Sequence, residues 1–269
     1  MIPRLLSRLP FPVLYLLSDF LYLIAYYVLR YRRDIVYQNI KRSFPEKSEP
    51  EIRTISKQFY RNLADIVVET LKSLTIKPEV FKKRFVFTNP ELAESYFEKD
   101  QSVLAMAGHL GNWEWLLLGC CIYLSRPIGV IYKKLSSQYY DQLMVDIRSR
   151  FGGRPILMEH ALMDIARKNK EVTGYGIVSD QVPLQDGEKH WTTFLNQDTA
   201  FFVGTAKIAR LTSYPVLFLS MKKVKRGHYT GTFKLLAEAP YEKDDYTVLE
   251  KYAHAMEECI RENPSSWLW

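Results

Sequence analysis

Read for its succession of apolar and polar positions, the chain divides into two textures. Residues 11–29, FPVLYLLSDFLYLIAYYVL, are apolar except for Pro12, Ser18 and Asp19, and arginines flank the run on both sides. Nineteen residues in a helix reach about 28 Å, close to the hydrocarbon thickness of a bilayer. The run predicts a membrane-anchoring helix within residues 1–33, with the flank after residue 29 on the cytoplasmic side. A carboxylate at mid-bilayer costs a few kcal/mol, so Asp19 weighs against a full span. Tyrosines 15, 22, 26 and 27 suit an interface. Spanning, lying in one leaflet, and packing as a core helix all remain open at this stage.

From Ile35 to about Leu74 the periodicity is helical. Pro50 falls in a first turn, and Ile52, Ile55, Phe59, Leu63, Ile66 and Val67 recur at helical spacing. From Phe85 onward, short apolar runs alternate with helical segments. Residues 102–107, 128–132, 172–180 and 214–224 read as strands; 113–124, 137–151, 159–169 and 201–212 read as helices. Such alternation predicts an α/β sandwich with a mostly parallel central sheet. Residues 227–237 read as a further strand, paired antiparallel through a turn at Arg226–Gly227, and a last helix spans 244–262 before Asn263–Pro264. The division expected is an anchoring helix over 1–33 and a domain over 34–269, whose residues 34–84 form a helical lead-in.

Charge and cysteine content narrow the class. The net charge of +7 is concentrated near the start, where Arg4, Arg8, Arg30, Arg32, Arg33, Lys41 and Arg42 face only Asp19 and Asp34. Basic residues beside an apolar run suit an anionic membrane surface better than a nucleic-acid groove, and no nucleic-acid-binding module is recognisable. Cys120, Cys121 and Cys259 form neither a disulfide framework nor a metal spacing, and favour a reducing compartment. His160, His190, His228 and His254 show no mutual metal spacing either. The sequence implies neither a metal nor a cofactor.

The chemistry-bearing stretch is AGHLGNWEW (107–115). A buried strand ends at Ala107, Gly108 and Gly111 let the chain turn, and Asn112 can cap a helix that carries Glu114 in its first turn. Ligands of open α/β sheets bind beyond the carboxyl ends of strands, where His109 falls. With His109 in the turn and Glu114 in the first helical turn, the two can meet, the carboxylate orienting an imidazole that takes a proton. The alternative is that His109 caps the helix and Glu114 complements its dipole. There is no G-x-S-x-G nucleophile elbow.

GHLGNWEW resembles the His-x4-Asp/Glu motif of glycerolipid-type acyltransferases, and specifically that of the bacterial lipid A late acyltransferases. The likeness extends in order through NIKRSFPEKS (39–48), FYRNLADIVVETLK (59–72), IYKKLSSQYYDQLMVDIRSRFGG (131–153), SDQVP (179–183), TAFFVGTAKIARLTSYPV (199–216) and NPSSWLW (263–269). It implies transfer of a fatty acyl chain from acyl-carrier-protein, or acyl-CoA, to a hydroxyl of a membrane glycolipid such as a lipid A precursor. His109 would be the general base and Glu114 its orienting partner. Arg148 and Arg150 match a basic block suited to a lipid phosphate or developing negative charge. Asp180 and Gln181 would border the site, with Asn112 and Tyr132 at further motif positions. Lys133 stands where the family usually has arginine, a point charge in place of a planar bidentate donor. The setting implied is the cytoplasmic face of the inner membrane. Other readings are an acyltransferase for an aminolipid or lysophospholipid, a lipid hydrolase, and a non-catalytic lipid-binding protein.

Overall fold

The computed structural model describes residues 2–167, 171–181 and 187–269. The chain runs α1 (Ile2–Leu6), α2 (Phe11–Leu23) with a π-helical turn (Ile24–Val28), α3 (Arg33–Ser43), α4 (Glu49–Lys72), α5 (Pro78–Lys82), β1 (Phe85–Phe87) and α6 (Glu91–Phe97). It continues through β2 (Val103–Ala107), α7 (Trp113–Tyr123), β3 (Ile128–Tyr132), α8 (Gln138–Arg148), β4 (Arg154–Leu157), α9 (Ala161–Arg167) and β5 (Gly174–Val178). The last elements are β6 (Lys189–Phe194), β7 (Gln197–Phe202), α10 (Gly204–Thr212), β8 (Val216–Lys225), β9 (His228–Ala237) and α11 (Thr247–Glu262).

A seven-stranded sheet in the order β1-β9-β8-β2-β5-β3-β4 forms the centre. Strands β8, β2, β5, β3 and β4 are mutually parallel, while β9 turns back antiparallel on β8 and carries β1 with it. Alternate residues of β2 enter two separate apolar cores. Leu104 and Met106 join one with α3, α4, α10 and α11, while Val103, Ala105 and Ala107 join the other with α5, α6 and α7. A strand buried on both faces has no polar alternation, which is why this one reads as a continuous apolar run.

The α/β class and mostly parallel sheet expected from the sequence are present. Several elements carried too weak a signal. β1 and β4 are short, and β6 and β7 form a separate antiparallel hairpin. Its turn residues, Leu195 and Asn196, both take positive φ, but Leu lacks the glycine signature of such turns. The helix expected over 201–212 therefore begins only at Gly204, because Phe201 and Phe202 belong to β7. Residues 168–169 of the helix expected over 159–169, and Val182 and Pro183 of SDQVP, lie outside the described residues.

Helix α4 starts at a capping box: the Ser48 amide and hydroxyl both donate to Glu51, at 2.9 and 2.6 Å. Against it lies the apolar N-terminal helix. Phe11, Leu14, Ser18, Tyr22 and Tyr26 are buried in that contact, whereas Val13, Leu16, Phe20, Leu23 and Tyr27 remain exposed. Its polar residues serve the docking. Asp65 of α4 accepts from Ser18 Oγ (2.7 Å), Arg226 Nε (2.9 Å) and Lys223 Nζ (3.1 Å), and Arg226 also donates to Asp19 at 2.7 Å. Asp19 thus has a cation beside it at the surface of the α/β unit.

Candidate active site

Parallel pairing of β2 with β5 sets Ala107 opposite Val178. Two residues further along each strand come His109 and Asp180, so the register brings them together beyond the carboxyl edge of the sheet. His109 Nδ1 lies 2.7 Å from Asp180 Oδ1, and the His109 amide donates to Asp180 Oδ2 at 2.7 Å. The imidazole is 17% exposed and the carboxylate 2%, so the acid is held in protein while the base keeps an opening. Nε2 faces the Gln181 amide at 3.5 Å, a separation at the limit of a hydrogen bond. Trp113 packs edge-on against the ring, with centroids 4.9 Å apart.

Glycine is required at two positions in this loop. A Cβ on Gly108 would meet Met256 Cε at 2.4 Å and Asp180 Oδ2 at 3.0 Å, so a side chain there would push the carboxylate from the His109 amide. Gly111 has φ of +60°, the left-handed region that favours glycine.

The expected pairing of His109 with Glu114 is corrected by this geometry. Glu114 points from the first turn of α7 to the end of α8 and holds Arg148 bidentately: Nε to Oε2 at 2.9 Å and Nη2 to Oε1 at 2.6 Å. Burial works to lower the Arg148 pKa, but the bonds and charge of Glu114 prevail and raise it, so the guanidinium stays charged. Tyr132, at the end of β3, stacks its ring 5.4 Å from that guanidinium. The site thus has two acid–base pairs, His109–Asp180 and Arg148–Glu114, each built by an α/β edge element.

Two other expected residues have different surroundings. Arg150 donates to the Ile76 carbonyl at 2.8 Å and stacks on Phe151, 5.0 Å from the ring centre, so its visible contacts tie α8 to the helical lead-in. Asn112 is fully buried and has no surface to offer a substrate. Its Oδ1 caps α7 by accepting from the Trp115 amide (3.1 Å), and its Nδ2 donates to Glu69 Oε2 (2.9 Å).

Two supporting residues were not anticipated. Glu69 of α4 is wholly buried and also accepts from Tyr229 (2.8 Å) and Tyr15 (3.0 Å). Burial raises its pKa against the pull of these donors. Trp267 donates from Nε1 to Asp180 Oδ2 at 2.8 Å. Its segment pairs with the His109 loop, the Gly111 amide donating to the Ser266 carbonyl (2.8 Å) and the Leu268 amide to the His109 carbonyl (3.1 Å). NPSSWLW stands out as an aromatic block, but nothing in its composition points to a carboxylate partner.

Comparison with known families supplies the class. The family described as bacterial lipid A biosynthesis acyltransferase matches residues 1–269. This chain belongs to that family. It is an acyltransferase, as the resemblance of the His-x4-Glu stretch implied. Over 267 residues it is 23% identical to the lipid A biosynthesis palmitoleoyltransferase of Escherichia coli (strain K12), covering 97% of this chain and 85% of the relative. The lipid A biosynthesis acyltransferase of Shigella flexneri matches with the same identity and coverage. Family members share the reaction class, which calls for an acyl donor and a lipid acceptor.

Proposed function

We propose that this acyltransferase moves a fatty acyl chain from acyl-carrier-protein to a hydroxyl of a lipid A precursor at the cytoplasmic face of the inner membrane, with His109 as general base. The observation that supports this most is the orientation of His109: Nδ1 is committed to a buried carboxylate, while Nε2 lies 3.5 Å from the exposed Gln181 amide and the ring stays 17% exposed. In the reading, Nε2 takes the acceptor hydroxyl proton as its oxygen bonds to the thioester carbonyl carbon. The carbon–sulfur bond then breaks, and the imidazolium returns the proton to the departing thiolate. Asp180 fixes the Nδ1–H tautomer and offsets the charge of the imidazolium; such a base contributes about 10²–10⁴ in rate. No acyl-enzyme is needed.

Gln181 lies on the Nε2 side and would align the acceptor hydroxyl. Arg148 keeps Nη1 outside its Glu114 pairing and would meet a lipid phosphate or the negative charge developing on the carbonyl oxygen. Tyr132 holds the plane of that guanidinium, Asn112 the loop, and Arg150 the base of α8. The lipid A acceptor is drawn from the names of the relatives and the family, and the basic surface suits an acidic carrier protein.

For the membrane, the reading is that α2 lies along the surface and does not cross. Residues 11–28 are long and apolar enough to span, with mean hydropathy 1.6. A crossing helix would have to abandon the Ser18–Asp65 and Asp19–Arg226 contacts and expose Phe11, Leu14 and Tyr22. Lying flat, it presents Val13, Leu16, Phe20, Leu23 and Tyr27 to lipid. Arg4 of α1 bonds Asp146 of α8 at 3.4 Å, which ties this layer to the helix bearing Arg148.

The test is product analysis. Purified enzyme incubated with acyl-carrier-protein thioesters, acyl-CoA and a panel of hydroxylated and amino lipids should acylate a lipid A precursor from the carrier-protein thioester, and His109→Ala should abolish this. Release of free fatty acid without acceptor would indicate a hydrolase. Transfer to an aminolipid, or from CoA alone, would replace the acceptor or the donor.

A further inference from the structure

At the far end of α2 from α1, a cavity of ≈ 380 Å3 opens between the π-helical turn, α3 and the first half of α4. Arg33 and Arg53 are among its lining residues. Each stacks on a tyrosine of the same cavity, Arg33 at 5.4 Å from the Tyr26 ring and Arg53 at 5.9 Å from Tyr37. Among the described residues neither has a carboxylate within salt-bridge distance, in contrast to Arg148, Arg154, Arg226 and Arg261. Ser56, 2% exposed, lines the same cavity, and its hydroxyl has no hydrogen-bond partner among the described residues. Asp34 is the one carboxylate on the wall, and it is exposed at the rim.

The backbone leading into this cavity is held in an unfavourable form. Arg30 and Arg32 take φ of 49° and 51°, the left-handed region that side-chain-bearing residues seldom adopt. Strain of this kind collects at ligand clamps and switch segments. Immediately before it come the exposed apolar residues Leu23, Tyr27, Val28 and Leu29. Two stacked but unpaired guanidinium groups, an unpartnered hydroxyl and an adjoining apolar stripe fit one ligand chemistry: a phosphate whose acyl chains continue along the stripe. Arginine forks match phosphate oxygens better than any other side chain.

We propose that this cavity binds the phosphate of an anionic glycerophospholipid headgroup, seating the enzyme on the membrane at a point separate from the acyl-transfer site. The proposal rests on the reading that this face meets a membrane, but not on any catalytic role of His109.

The experiment is vesicle co-sedimentation of the full chain with phosphatidylcholine vesicles, with and without phosphatidylglycerol. Wild type is compared with R33Q/R53Q and with R8Q/R42Q, which removes the same charge from exposed arginines outside the cavity. A diffuse attraction of basic residues to the surface treats the two double variants alike. A seated headgroup makes R33Q/R53Q lose about tenfold or more beyond the control on phosphatidylglycerol vesicles, because charge-assisted bonds are lost along with charge. Both variants should stay folded, with R33Q/R53Q losing at most the two tyrosine stacks, since among the described residues none of these arginines is in an ion pair. Equal losses in the two variants, or none, would overturn the cavity while leaving membrane binding intact. Failure of wild type to bind any vesicle would overturn the membrane reading itself. Stabilisation of the vesicle-free protein by inorganic phosphate, lost in R33Q/R53Q and without any lipid preference, would show a site for free phosphate and sink the lipid assignment.

Discussion

Asp180→Asn tests the assignment of the His109 partner through its tautomer. Two N–H groups converge on Asp180 Oδ2, the His109 amide at 2.7 Å and the Trp267 indole at 2.8 Å. An asparagine at this position must therefore turn its carbonyl oxygen toward them and its NH2 toward His109 Nδ1. That nitrogen can then only accept, and the imidazole proton moves to Nε2, where the base should be empty. A triad carboxylate replaced in this way costs about 10⁴ in rate with the geometry preserved, or about 5 kcal/mol of transition-state stabilisation. The assay is single-turnover acyl transfer with saturating donor, read beside thermal unfolding to show that the variant is folded. Glu114→Gln is the comparison. It weakens the hold on Arg148 and should lower stability and acceptor affinity, while leaving the pH dependence attributable to His109 unchanged. Activity of Asp180→Asn within about tenfold of wild type would refute the pairing argument. So would a Glu114→Gln variant that alone shifts the pH profile.

Three further outcomes are expected. Asp65→Ala leaves Lys223 without a carboxylate, held only by Asn62 Oδ1, and leaves Arg226 with Asp19 alone; breaking a pair whose acid side chain is only 4% exposed should cost roughly 3 kcal/mol in denaturant unfolding and loosen α2. Leu16 and Phe20 are 70% and 58% exposed, so L16E/F20E should leave unfolding within about 0.5 kcal/mol of wild type. The same variant should release the protein from vesicles, each apolar side chain carrying about 1.5–3 kcal/mol of transfer. Alkali should unfold the protein: burial pushes Tyr175, Tyr241 and the Cys121 thiol each up to about 12. These neutral groups stabilise the fold fully below their ordinary values, about 8.5 for a thiol and 10 for a phenol. That contribution is lost as pH rises toward 12, so circular dichroism should show a cooperative loss in this window and none between pH 7 and 8.

How far the sequence reaches into this molecule follows from what it encodes locally. The strands β2, β3, β5 and β8 are dense apolar runs, and the segments between them are long enough for helices, one of them opened by the Asn112 cap, so the central sheet is readable. The β6–β7 hairpin is not, because a Leu-Asn turn looks like ordinary chain. His109 is legible from its place after a buried strand between two glycines. Its partner is not legible from spacing alone. Glu114 is five positions away, yet the first turn of α7 directs it to Arg148, while Asp180 is brought close only by the register between β2 and β5. Pairing across a sheet is a tertiary property, and no local count of residues contains it. The same holds for Trp267, which reaches Asp180 across 87 positions of the chain.

That last contact has a consequence for when the enzyme becomes competent during synthesis. The His109 loop, its carboxylate and the sheet edge that aligns them all precede residue 181, yet the segment that pairs with that loop is residues 266–268. A nascent chain can fold the sheet and still leave the Gly111 amide and the His109 carbonyl unpaired and Asp180 short of one donor. The ribosome must deliver the Ser-Trp-Leu segment before the imidazole is locked. The contact of His109 with Asp180 is therefore completed only after residues 266–268 have emerged, well behind the strands β2 and β5 that align the two.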